Sequence, residues 1–188
     1  RRPTLRVGSR AMSDYPTPGA LLRKHGLAPK KAWGQNFLVD PTIVDTIVTA
    51  TGARAGRRVV EIGAGLGALT ARLLETEAQV WAIERDRELC EVLRAELGER
   101  TNLKLLEDDA VRFEWSTTYE DGTRPTIVGN LPYHLTGPLL FALLPHHAQT
   151  ADWIVMVQRE VAERLASPPG TKSYGGVTVV LGLSLIHI

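Results

Sequence analysis

Short runs of Val, Ile and Leu alternate with longer amphipathic stretches from residue 40 onward, and this alternation constrains the fold more than any other feature. "DPTIVDTIVTATG" offers Asp40 as N-cap, Pro41 in the first helical position and Gly52 as the stop, with Ile43, Val44, Ile47 and Val48 on one face. "RRVVEIG" then reads as a buried strand, "ALTARLLETEA" as a helix, and "QVWAIE" as a second strand ending at Glu84. A helix follows from Asp86 through "DRELCEVLRAEL", then a third strand, "NLKLLEDD", ending near Asp109. "PTIVGN" is the fourth strand, its apolar run breaking off at Gly129; "GPLLFALL" is a helix, "DWIVMVQ" the fifth strand and "REVAERLA" a helix. Repeated strand–helix units of this kind predict an α/β fold: a mostly parallel sheet with helices on both faces.

On such sheets ligands bind beyond the carboxyl ends of the strands. The suggestive residues fall there: Gly63, Glu84, Asp109 and Asn130 follow strands one to four. In "VVEIGAGLGALT", Gly63 and Gly65 permit positive φ and close backbone approach, and Gly67 is expected to let the next helix start tight against a ligand. The glycine turn alone is shared with nucleotide dehydrogenases. Glu84 can accept the two hydroxyls of a ribose, which suits NAD and S-adenosylmethionine equally. Asp109 can accept from an adenine amino group, or be an ordinary turn aspartate. Glu61, at the end of a buried strand, needs a partner, and a cationic amino-acid moiety would provide one.

"GNLPY" weighs toward the second of those cofactors. Pro132 fixes its own φ and pushes Leu131 toward extended backbone, holding the Leu131 carbonyl and the Asn130 side-chain oxygen as converging acceptors beside the Tyr133 ring. Two acceptors and a flat face suit the exocyclic amine of adenine. A dehydrogenase leaves Asn130 to Tyr133 without work.

Four segments, "GQNFLVD", "EIGAGLGALT", "GNLPY" and "VQREVAERL", together resemble the ribosomal RNA adenine dimethyltransferases, most closely the bacterial small-subunit type whose loss gives kasugamycin resistance. The similarity covers roughly residues 30–180 in the family's order. It implies a Rossmann-like class I methyltransferase domain, with S-adenosyl-L-methionine as cofactor. The implied substrate is a pair of adjacent adenines near the 3′ end of small-subunit rRNA, met in an immature ribosomal subunit during ribosome biogenesis. Position by position, Asn36, Leu38, Gly63, Glu84, Asp109 and Asn130 match the family's cofactor contacts, to which the strand-end readings add Glu61 and Gly65. Asn130, Leu131, Pro132 and Tyr133 match its catalytic loop. Ala64 stands where the family usually has proline, Trp33 replaces a phenylalanine, and "YGGVTVV" replaces a "YG-x-LS" pattern, leaving helix or strand open there. The family's last two strands, an "F-x-P-x-P-K-V" segment and its small helical C-terminal domain have no counterpart, so residues 30–188 read as an incomplete, C-terminally truncated catalytic domain. Met12 is a candidate natural start, and "VTVVLGLSLIHI" stops inside an apolar segment. The alternatives are a large-subunit rRNA adenine methyltransferase conferring antibiotic resistance, an NAD-dependent dehydrogenase, and a non-catalytic RNA-binding assembly factor.

Charge adds a possible polyanion contact. Residues 1–40 hold eight Lys and Arg against two Asp, whereas the remainder holds 14 Lys and Arg against 19 Asp and Glu. Residues 1–29 are therefore expected to form a flexible basic arm whose removal weakens RNA binding more than cofactor binding. Tyr15 and Trp33 are rings near that arm that nucleic acid could reach. The lone Cys90 excludes an internal disulfide and suits a reducing cytoplasm, and its helical setting points to a buried side chain rather than a nucleophile; a monomer is expected. No apolar run approaches a membrane span, and the histidines show no metal spacing. Trp81 and Trp153 lie in apolar strands and are expected in the core.

Overall fold

The computed structural model describes residues 15–30, 35–165, 167 and 170–171, with the side chain of Tyr133 excepted. Helix α1 (Pro18–His25) and α2 (Pro41–Thr51) precede β1 (Arg58–Ile62), α3 (Ala68–Leu74), β2 (Gln79–Glu84), α4 (Arg87–Leu97) and β3 (Leu103–Glu107). Then come β4 (Thr126–Asn130), α5 (Thr136–Leu143), β5 (Trp153–Met156) and α6 (Arg159–Leu165), with short 3-10 turns at Trp115–Thr118, Tyr133–Leu135 and Leu144–Gln149.

All strand pairs are parallel, in the order β3-β2-β1-β4-β5. The chain thus builds outward from β1 on one side and returns to β1's other side with β4. The carboxyl ends of β1 and β4 are neighbours from which successive connections lead away in opposite directions, and a crevice opens there. The predicted parallel α/β sheet is the one observed.

The strands read as continuous apolar runs because both sheet faces are covered. On one face Val59, Val80 and Val128 pack with Val44 and Ile47 of α2, Leu73 of α3, and Leu93 and Leu97 of α4. On the other, Val60, Ile62, Ile83 and Ile127 pack with Leu139 and Leu143 of α5 and with Trp115. Cys90 is fully buried and its thiol is pushed up to about 12, chiefly by burial. Trp81 and Trp153 are half-buried rather than core. The Trp81 ring lies beneath the Arg58 guanidinium at 4.6 Å and the Lys104 ammonium at 3.5 Å, so the indole serves as a platform for two cations.

Local signals set most element ends. Asp40 caps α2, its Oδ1 accepting the Thr42 N–H at 2.8 Å, and Gly52 closes the helix in the left-handed region at φ 60°. Asp86 caps α4 in the same way. Gly129 does not end β4: it pairs with both Ile62 and Val155, and the strand runs on to Asn130. Glycine is needed there because a Cβ would lie 2.7 Å from the Ile62 carbonyl oxygen.

The expectation of a flexible arm over residues 1–29 fails for its described part. Helix α1 is capped by Thr17 and Gly26, and Leu21 is fully buried against Leu66, Leu89 and Val92. Burying a leucine contributes roughly 1.5–3 kcal/mol, enough to hold a short helix on the body. Lys24 and His25 both reach Glu96 of α4 at 2.7 Å. Residues 1–14, Trp33 and the segment Tyr174 to Val180 lie outside the described residues.

Candidate active site

A cavity of about 320 Å³ occupies the crevice between β1 and β4. Its wall is drawn from every strand end that the sequence singled out: Glu61 near the end of β1 with Gly63 and Gly65 after it, Glu84 ending β2, Asp109 after β3, and Asn130 ending β4 with Leu131 and Pro132 after it. Asn36 and Leu38 close it from the segment before α2. The Tyr133 side chain lies outside the description, although its backbone begins the 3-10 turn beside the cavity.

Gly63 and Gly65 have φ of 70° and 59°, left-handed values that other residues adopt only under strain. Nothing lies within 4 Å of a Cβ built on Gly63, whereas one on Gly65 would touch the Phe37 ring at 3.3 Å. Gly67 departs from expectation. It is absent from the cavity wall, and a Cβ there would meet the Tyr15 hydroxyl oxygen at 2.6 Å and Leu93 at 2.9 Å. Its smallness admits Tyr15 and α4 behind the turn, not a ligand in front.

The acids are held differently from one another. Glu84 is buried, and its two carboxylate oxygens accept the N–H groups of Gly65 and Asp86, each at 2.8 Å. It therefore ties the glycine turn to the end of β2 as well as facing the cavity, and each oxygen keeps further accepting capacity. Burial pushes its carboxyl up, and the backbone donors oppose that shift. Glu61 is 2% exposed and takes a 2.7 Å hydrogen bond from the Thr70 hydroxyl. Burial and, to a lesser degree, nearby Glu84 push its carboxyl up to about 8, against the opposing hydrogen bond. The Asp109 Oδ1 accepts the Val111 N–H at 3.0 Å, so this residue is both a turn former and part of the wall.

The Asn130 amide is oriented by chemistry that leaves one choice. Its Nδ2 donates to the Asn36 carbonyl oxygen at 2.8 Å, and a carbonyl can only accept. The side-chain oxygen is thereby left as the acceptor on the other branch. Leu131 is pinned by its buried side chain and by its N–H bond to the Met156 carbonyl at 3.1 Å. Pro132, at φ −57° and ψ 135°, receives bonds at its carbonyl from the Leu135 N–H and the Thr136 hydroxyl. The loop after β4 is thus fixed at each residue from Asn130 to Pro132.

Several participants escaped the sequence reading. Gln35 bridges the Lys30 N–H and the Asp86 carboxylate, each at 2.8 Å, docking the segment that carries Asn36. Asp86 also accepts from Lys30 at 2.9 Å and is almost fully buried. Pro18 of α1 and His134 complete the wall. The place of Thr70 on α3, facing the acid before the glycines, was a usable signal; Pro18 and Gln35 had no local signal. Among the described residues no group of His, Cys, Asp and Glu could hold a metal ion.

The model of the ribosomal RNA adenine dimethylase family matches residues 26–185. The chain belongs to that family. A dimethylase relative, ribosomal RNA small subunit methyltransferase A of Anaeromyxobacter sp. (strain K), is 48% identical over 180 residues, covering 90% of this chain and 63% of the relative. The chain therefore spans somewhat less than two thirds of the length of such relatives. Among solved structures, a dimethyladenosine transferase from Plasmodium falciparum superposes with a TM-score of 0.68 at 29% identity, over 78% of this chain and 52% of that one. The 23S rRNA methyltransferase ErmE follows with 0.59 at 26% identity, over 69% and 50%. The fold is that of the Rossmann-like class I methyltransferases, and the family's motif positions, from Asn36 to Pro132, surround one cavity.

Proposed function

We propose that the protein, in its full length, transfers methyl groups from S-adenosyl-L-methionine to the exocyclic amines of two adjacent adenines near the 3′ end of small-subunit rRNA. The observation that carries this reading is the Asn130 amide, turned by the Asn36 carbonyl so that its oxygen is left to accept. It shares one cavity with the glycine turn and with the acids Glu61, Glu84, Asp108 and Asp109. The residues fit an S-adenosyl cofactor: Gly63 presents open space, Glu84 keeps capacity for ribose hydroxyls, and the buried Glu61 suits an ammonium. When bound, such a cofactor supplies an electrophilic methyl on a sulfonium. Asn36, Leu38, Gly63, Gly65 and Asp109 shape and line its place.

The remaining work falls to the loop after β4. An adenine amine is a poor nucleophile because its lone pair is delocalised into the ring. Accepting its two N–H groups at the Asn130 side-chain oxygen and the Leu131 carbonyl favours a pyramidal nitrogen and stabilises the positive charge that develops there. Each transfer replaces one N–H bond by N–CH3 and releases one proton. Holding the nitrogen in line contributes on the order of 7–11 kcal/mol in favourable cases. Tyr133 supports the base by stacking, worth about 1–3 kcal/mol. The adenine must leave any stack to enter.

The small-subunit substrate is favoured over the large-subunit one by the curated relatives, named for the small subunit. Immature small subunits are the expected partner of a cytoplasmic monomer. Full-length protein, labelled cofactor and purified immature small or large subunits test the reading. Methyl transfer to small-subunit adenines is expected, with Asn130→Ala lowering kcat about 10²–10³-fold. Transfer to large subunits alone, or an unchanged Asn130→Ala variant, overturns it.

A further inference from the structure

We propose that Tyr15 is a positioning residue for the cofactor turn, its hydroxyl holding the Leu66 carbonyl from behind so that Gly63 to Gly65 face the cavity; this rests on the S-adenosyl reading of the site. The Tyr15 hydroxyl donates to the Leu66 oxygen at 2.8 Å across 51 residues of sequence. Leu66 is the middle residue of "GLG" and lines the cavity, and the next residue, Gly67, has no room for a Cβ because the same hydroxyl fills it. The Tyr15 ring packs against two of the three apolar clusters, so it is clamped on its flanks and free to act only through its hydroxyl.

Three residues further on, Pro18 forms part of the cavity wall. The segment entering α1 therefore braces the turn on its back and shapes the pocket on its front. Burial, with Glu96 and Glu61 nearby, holds the phenol well above its ordinary range, so the donor persists across any working pH. Among the described residues the turn's other long-range ties are at its start: Glu84 grips the Gly65 N–H, and the Gly63 and Ala64 N–H groups bond to the Ile83 carbonyl. Removing the Tyr15 hydroxyl leaves the Leu66 carbonyl unpaired and the turn free to shift.

Tyr15→Phe keeps the ring and deletes the donor. In full-length protein, titration with S-adenosylhomocysteine is expected to show affinity lowered about five- to tenfold. In turnover, KM for the cofactor is expected to rise with kcat near the parent's. Thr118→Ala, which deletes a buried hydroxyl's bond to the Trp115 carbonyl away from the cavity wall, is the control for a merely structural effect and should leave both unchanged. Affinity of Tyr15→Phe within twofold of the parent overturns the inference while leaving the cofactor reading intact. A parent that binds no S-adenosylhomocysteine overturns both. Should Tyr15→Phe fail to fold, hydrogen exchange on the unmutated protein decides the matter. Residues 15–21 and 63–69 are expected to gain protection together on ligand addition, and protection confined to 63–69 overturns the proposal.

Discussion

Glu61 shows how far a single residue could be read. Its place at the end of a buried strand was enough to say that it needs a partner. That its bonded neighbour is Thr70, and that its carboxyl is pushed up to about 8, depended on what packs around it. Because the folded-state value lies above the unfolded one, the native state carries no penalty at low pH, a penalty that grows as pH rises from the ordinary value of 4.5 toward 8, and a constant one beyond it. In full-length protein, Glu61→Gln is expected to gain stability relative to the parent on going from about pH 5 to about pH 9, by about 2–4 kcal/mol at the alkaline end. Urea unfolding at both pH values checks this, and a difference that does not vary with pH refutes it. An ammonium seated at Glu61 is expected to expel its proton near neutral pH, so calorimetry in two buffers should show proton release by the parent on cofactor binding and none by this variant. Glu84 was read as a ribose acceptor from its position, but its grip on the Gly65 N–H was not legible, because that bond joins residues brought together only by the pairing of β1 with β2.

At the scale of elements, β1 to β5 and α2 to α6 were visible because each carries its own period, cap or stop. Helix α1 was not. It is eight residues long, holds three basic residues in its last turn, and lies in a stretch whose charge suggested a solvated arm. Its order comes from Leu21, which inserts between Leu66, Leu89 and Val92, residues far away in sequence. Replacing Leu21 with alanine is expected to cost about 2–5 kcal/mol of stability. Cofactor affinity should fall with it, since Tyr15 and Pro18 lose their support; calorimetric Tm and S-adenosylhomocysteine titration measure the two. Undisturbed binding beside a lowered Tm would show that α1 stabilises the body without shaping the pocket. Trimming residues 1–29 is accordingly expected to weaken cofactor binding as well as RNA binding, contrary to the sequence-based expectation of a mainly RNA-directed loss.

For the molecule as a whole, the site exists because the strand order reverses beside β1. No residue of the cavity wall makes the crevice alone. It is the divergence of connections from β1 and β4 that leaves the cavity between the glycine turn and Asn130. A ligand that fits this space binds only the folded chain. S-adenosylhomocysteine at about 100 times its Kd is therefore expected to stabilise full-length protein by about 2.7 kcal/mol, and NAD at the same concentration by nothing measurable. Thermal melts distinguish the two, and stabilisation by NAD instead would return the site to the dehydrogenase reading. At the sheet's far side, β5 is the edge strand among the described residues, and all four of its residues are half-buried where those of β4 up to Gly129 are fully buried.

The sequence by itself determined the parallel α/β architecture, the order of strand ends and the chemical character of what stands at each, because apolar period, caps and turn residues act over a few neighbouring positions. Only the tertiary structure decided which way the Asn130 amide faces, that Glu84 braces the turn it borders, that Gly67 makes room for Tyr15, and that α1 belongs to the pocket. Those outcomes rest on hydrogen bonds and van der Waals contacts between residues tens of positions apart, and such contacts leave no local pattern in the chain that forms them.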